Sequence, residues 1–199
     1  MNQYYKYLIG VDEVGRGPIA GPVTVCAFGV ATDAREHIHE HLAGITDSKK
    51  LTEKKRNEFT ERIKQLRDAG DVYVSISSVS ASDIDAHGIV PCLKKATEGA
   101  LRGLGLATDD CYVYLDGSLV APDAYAQETI VKGDQTNWLI SAASVVAKVT
   151  RDALMTEYGV QYPQYGFEHH KGYGTKAHYA AIQKYGLHKL HRKSWIKRV

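Results

Sequence analysis

The chain has 199 residues, 44% hydrophobic and 24% charged, with a net charge of +2. That is enough for one ordinary globular domain with a real core and is not the composition of a disordered segment. No apolar run approaches a membrane span, and the N-terminus lacks the basic-then-apolar plan of a signal peptide, so no membrane partner is expected.

Cys26, Cys92 and Cys111 lie far apart with no CxxC pair. This argues against a disulfide framework or structural zinc and suits a reducing cytoplasm.

Taken in order, residues 5–12 and 22–30 read as two strands joined by "EVGRGPIAG". "DSKKL" follows, and Thr52 then caps a helix over about 53–68, with Phe59, Ile63 and Leu66 on its apolar face. "DVYVSISSV" at 71–79 alternates like a strand. Ser80 or Ser82 can open a helical stretch to about 102, which Gly88 and Pro91 should disturb. "CYVYLDG" predicts a strand ending at Asp116, and "ETIVKGD" another ending at Asp134. Residues 137–158 form the strongest helical pattern, with Ala142, Ala143 and Ala147 suited to close packing on a sheet. A last helix is expected over 176–185. Strands followed by alternating strands and helices predict one α/β domain over 1–199 around a mixed sheet, with no repeat or linker.

Charge is unevenly spread. From His169 onward there is no Asp or Glu, while Lys171, Lys176, Lys184, Lys189, Arg192, Lys193, Lys197 and Arg198 are all basic. The preceding 168 residues carry 17 basic against 23 acidic side chains. This suggests a cation site in the body and a polyanion grip at the end, or else a merely solvated basic tail.

Three apolar strands terminate in carboxylates: Asp12 with Glu13, Asp116, and Asp134. In α/β sheets ligands gather at strand carboxyl ends, so parallel neighbours would bring these acids together. Successive residues on a strand point to opposite faces, so Asp12 and Glu13 converge only if the strand breaks, which "GRG" permits. Carboxylate-only clusters favour Mg²⁺ or Mn²⁺, and paired ions suit phosphodiester cleavage. The plainer reading of any one such Asp is a turn former or cap. "GRGPIAG" is not GxGxxG, no GxxxxGK[ST] or GxSxG is present, and no triad is marked. His37, His39 and His41 would meet a zinc ion only in an extended segment.

The motifs "GVDEVGRGPIAGPV", "TDSKKL", "YLDG", "VKGDQ", "ISAASVVAKVTRD" and "HKGYGTKAH…IQKYG…HRKSW" resemble, in order, those of ribonuclease HII, a type 2 ribonuclease H. The match covers about Tyr7 to Trp195. It implies a ribonuclease-H-like mixed sheet flanked by helices, with a helical C-terminal part (about 160–199) over the cleft. It further implies a metal-dependent endonuclease acting, as an expected monomer, on RNA/DNA hybrids and ribonucleotide-containing DNA duplexes. The family's four metal-binding acids match Asp12, Glu13, Asp116 and Asp134, with Asp152 a rival for the fourth place. The backbone of Gly15, Arg16 and Gly17 is expected to meet the ribose 2′-hydroxyl, and Tyr173 to pack on the next sugar. Lys49, Ser144, Lys148, Arg151, Lys171 and Arg192 are expected near the nucleic-acid backbone, although Lys148 and Arg151 could equally pair within the protein. A related nuclease or strand-transferase, or a non-catalytic hybrid-binding module, is the alternative function. A C-terminal clamp-docking peptide found in some relatives is expected to be missing after "HRKSWIKRV".

Overall fold

A computed structural model describes residues 4–196; Lys197 and Arg198 of the basic end lie outside them. β1 (Tyr7–Val14), β2 (Val23–Ala31), β3 (Val72–Val79), β4 (Cys111–Asp116) and β5 (Ala126–Ile130) form a five-stranded sheet in the order β3-β2-β1-β4-β5. β1–β2 and β2–β3 pair antiparallel, whereas β1–β4 and β4–β5 pair parallel. The sheet is mixed, and its helices cover both faces.

Side-chain alternation sorts the core into two layers. Ile9, Val11, Val23, Val25, Ala27, Val113 and Leu115 face one way. There they meet α3 (Ala81–His87) and α4 (Ile89–Arg102) through Ile84, Leu93, Ala96 and Leu101. Leu8, Cys26, Phe28 and Val30 face the other way, onto α1 (Arg35–His41), α2 (Glu53–Ala69) and the long α6 (Trp138–Gln161). Gly88, at φ +81°, divides α3 from α4 where the sequence placed a disturbance. Thr52 caps α2 by accepting from the Lys55 amide.

Asn137 caps α6 by accepting from the Leu139 amide. The helix lies on β1 through Ala142, Ala143 and Ala147, all fully buried. Gly10 completes the approach, because a Cβ there would stand 2.1 Å from the Leu139 carbonyl carbon. That contact of strand backbone with helix backbone fixes the height at which α6 carries Ser144 and Lys148 past the strand ends.

Beyond α6, α7 (Phe167–His170) and α8 (Lys176–Tyr185) gather on a smaller apolar cluster of Ala20, Met155, Tyr165 and Phe167. Four histidines surround that cluster.

Two expectations need correction. β1 does not break at Asp12 but pairs with β2 through Val14. The strand predicted over 128–134 ends at Ile130, and Asp134 lies instead in α5 (Gly133–Thr136), a short turn entered through left-handed Lys132. The "HIHEH" segment is helical, so its histidines point around an axis: His39 stacks on Trp138, while the His41 ring packs against His37. The three rings therefore do not share one position.

Candidate active site

Parallel pairing of β1 with β4 ends at Val11 opposite Leu115. The next residues of the two strands, Asp12 and Asp116, therefore stand side by side. β4 stops there while β1 continues, leaving the edge beyond Asp116 open. Glu13 points to the opposite face from Asp12, yet one oxygen from each of Asp12, Glu13 and Asp116 lies within 4.8 Å of the others. Convergence comes from the ending of the neighbour, not from a break in β1. Asp134 joins from α5, where its amide donates to Asp116 Oδ1 at 3.3 Å.

The carboxyls repel one another in a partly dry place. Burial, and then the Glu13 and Asp116 charges, push Asp12 well above the usual carboxylate range, although the Glu13 amide donates to its Oδ1. Burial also raises Glu13, with Arg16 opposing it from 3.5 Å. Asp134 is raised by burial, Asp116 and Asp47. Asp47 is itself buried and accepts from the Lys49 amide.

The four acids line one cleft of about 280 Å³ together with Val14, Ser48, Lys49, Ser144, Lys148 and Tyr173. Ser144 Oγ donates to Ser48 Oγ at 3.0 Å, joining α6 to the "DSKK" loop. Tyr173 is 45% exposed beside Gly17, whose added Cβ would meet its ring at 3.9 Å. Arg16 Nη1 donates to Ser118 Oγ at 2.9 Å, a partner sequence reading did not single out. Asp152 does not line this cleft. It pairs with Lys148 Nζ at 2.9 Å and borders a separate groove with Glu53, Arg56 and Lys171.

Three expected phosphate neutralisers are placed otherwise. Arg151 is 1% exposed and donates to the carbonyls of Pro22, Ala20 and Lys171. Arg192 is fully buried and donates to the carbonyls of Gly15, Arg16 and Gly21. Lys171 turns its ammonium to Thr156 Oγ1 and the Glu168 carbonyl, away from the cleft. For Arg151 the signal was available: it sits four residues after Ala147 and seven after Ser144, on the buried stripe of α6. Arg192, between His191 and Lys193 in an acid-free run, carried no such mark.

Residues 9–198 match the family model for ribonuclease HII. The chain is 43% identical over 195 residues to a ribonuclease HII of Clostridioides difficile, covering 98% of this chain and 72% of that one. It is 45% identical over 192 residues to that of Shouchella clausii, covering 96% and 69%. Among solved structures, the fold matches the ribonuclease HII in a PCNA complex from Archaeoglobus fulgidus, at TM-score 0.73, 21% identity and 96% coverage of both chains. It also matches Bst ribonuclease HIII in complex with Mn²⁺, at TM-score 0.71, 20% identity and coverage of 96% and 67%. Sequence, sheet and cleft thus agree: the chain belongs to the ribonuclease HII family of ribonuclease H hydrolases, which are endonucleases.

Proposed function

We propose that this chain is a single-domain, monomeric cytoplasmic enzyme that uses Mg²⁺ or Mn²⁺ to cut the RNA strand of RNA/DNA hybrids. We extend this to duplex DNA carrying one ribonucleotide, nicked on its 5′ side to leave 3′-hydroxyl and 5′-phosphate ends. The observation that carries the reading is the meeting of Asp12, Glu13 and Asp116 oxygens within 4.8 Å in a cleft that also holds Asp134. The donor set fits the metal: every ligand is a hard carboxylate oxygen, and burial together with neighbouring carboxylates raises Asp12, Glu13 and Asp134, a cost that bound cations would remove. When bound there, such ions activate the attacking water and stabilise the leaving oxygen.

The chain's own residues do the rest. The cleft lining contains no His or Cys. Lys49 and Lys148 offer positive charge to the scissile strand, and Ser48 and Ser144 offer hydroxyls. The backbone of Arg16 and Gly17, both exposed residues, is offered to the ribose 2′-hydroxyl. Tyr173 presents a flat ring to the next sugar, where an added hydroxyl would crowd it. The C-terminal part, over its described residues 160–196, borders the cleft through this residue.

The test is a DNA duplex carrying one ribonucleotide, incubated with Mg²⁺ or Mn²⁺ and then with chelator. One nick 5′ of the ribonucleotide, abolished by chelator, is expected. Equal cutting of all-DNA duplex would favour a general nuclease or strand-transferase, and binding without cutting a hybrid-binding module.

A further inference from the structure

We propose that Arg192 is a positioning residue for ribonucleotide recognition: its buried guanidinium pulls the Gly15 and Arg16 carbonyls inward and so turns the Arg16 and Gly17 amides outward. The inference rests on the reading above, in which the 15–17 backbone meets the ribose.

The contacts are specific. Arg192 Nη2 donates to Gly15 O at 2.5 Å and to Gly21 O at 3.0 Å, Nη1 to Arg16 O at 2.9 Å, and Nε to Gly21 O at 3.1 Å. No peptide of the described chain is cis. In a trans peptide the C=O and the following N–H point opposite ways. The Arg16 and Gly17 amides must therefore face away from Arg192, and neither donates a hydrogen bond among the described residues. Burial follows the same division, with Gly15 buried and Arg16 and Gly17 exposed. Two adjacent free donors beside Glu13 and Tyr173 form a small cradle for an oxygen.

The cost of this arrangement argues that it serves a purpose. Arg192 is 0% exposed, and no carboxylate pairs with it among the described residues; carbonyl dipoles and the Trp195 ring, 4.9 Å away, answer its charge. An apolar residue of similar reach would fill the space without that cost, but it would leave three loop carbonyls without donors. Arg151 braces the far end of the same loop. It holds Ala20 and Pro22, and through the Lys171 carbonyl ties them to the segment that carries Tyr173. Gly15 at φ +86° admits this brace, since a Cβ would stand 2.2 Å from Arg151 Nε.

Arg192→Lys keeps the charge but cannot make planar, forked contacts to three carbonyls. Fluorescence anisotropy in EDTA would compare the affinity of wild type and variant for a duplex with one ribonucleotide and for its all-DNA counterpart. The ribonucleotide preference should fall about tenfold, the worth of roughly one hydrogen bond, while all-DNA affinity stays within about twofold. A purely structural role would lower both affinities together and overturn the proposal. A folded variant with undiminished preference, beside a wild type that has one, would overturn this inference alone. A wild type without preference would remove the recognition reading and this inference with it.

A second measurement needs no variant. In ¹⁵N-labelled wild type the Arg192 guanidinium should show separate, slowly exchanging N–H signals, and the Arg16 and Gly17 amides should shift more with the ribonucleotide duplex than with DNA. Averaged guanidinium signals, or equal amide shifts, would overturn it.

Discussion

Acid should loosen the C-terminal histidine cluster, and the hydrogen bonds say why. His191 Nδ1 accepts from the His188 amide, its Nε2 lies 3.1 Å from His178 Nε2, and His178 Nδ1 lies 2.9 Å from the Tyr173 carbonyl. Only one arrangement of protons satisfies all three contacts: His191 donates from Nε2, and His178 accepts at Nε2 and donates from Nδ1. A further proton on His178 would set two N–H groups face to face in a fully buried place. Burial accordingly holds His178 down at about 4, and lowers His191 and His170 as well.

Above pH 6.5 both folded and unfolded forms of His178 are neutral, and its stabilisation is complete. As pH falls from 6.5 to about 4, the unfolded chain takes up a proton that the folded one refuses. At about 1.36 kcal/mol per pH unit, this one side chain removes about 3 kcal/mol, a large part of an ordinary domain's stability. Urea unfolding of wild type and His178→Asn at pH 7 and pH 4.5 measures it. The variant should be less stable at pH 7 but should lose about 2 to 3 kcal/mol less on acidification. Carboxyl titrations cancel in the comparison, so equal losses in both proteins would refute the proton-ordered relay.

Asp116→Asn should lower cleavage by about a thousandfold or more, because a ligand to the ions is lost, equivalent to about 4 kcal/mol of barrier. In chelator the same change should raise stability by about 1 kcal/mol, since it relieves Asp12, Glu13 and Asp134; calorimetry would read a drop as contradiction. Gly10→Ala should cost about 3 kcal/mol or more by forcing β1 away from α6, seen as a fall in urea midpoint; a change under about 0.5 kcal/mol would contradict the backbone contact. Tyr173→Ala should leave stability within about 0.5 kcal/mol, because the ring is 45% exposed, while weakening preference for the RNA-to-DNA junction in a cleavage assay. An unchanged junction profile would return Tyr173 to a structural role.

Much of this site was legible because its determinants are local. Apolar runs ending in acids announced Asp12 and Asp116, and parallel pairing is what an α/β order leads one to expect. The manner of convergence was not legible. Whether β1 breaks or β4 stops depends on relative strand lengths, which no single segment encodes. Asp134 lay in a region where "ETIVKGD" carries a strand-like apolar run, but Gly133 and left-handed Lys132 turn it into a helical corner. Arg151 and Arg192 were expected near the nucleic-acid backbone, with pairing inside the protein left equally open for Arg151, and charge alone does not decide between the two. Their burial follows from loop carbonyls spread over 15–22 and 171 that need donors, a tertiary demand invisible in a linear chain. Gly10 drew no attention in the sequence and is the point of contact with α6.

The claim beneath all of this is that the strand-end acids jointly seat divalent ions. Titrating chelator-treated protein with Mn²⁺, followed by electron paramagnetic resonance, tests it most directly. Wild type should sequester Mn²⁺, and Asp12→Asn and Asp116→Asn should each weaken that binding at least about tenfold, equivalent to about 1.4 kcal/mol per lost carboxylate contact. Binding that survives unchanged in both variants would contradict the account.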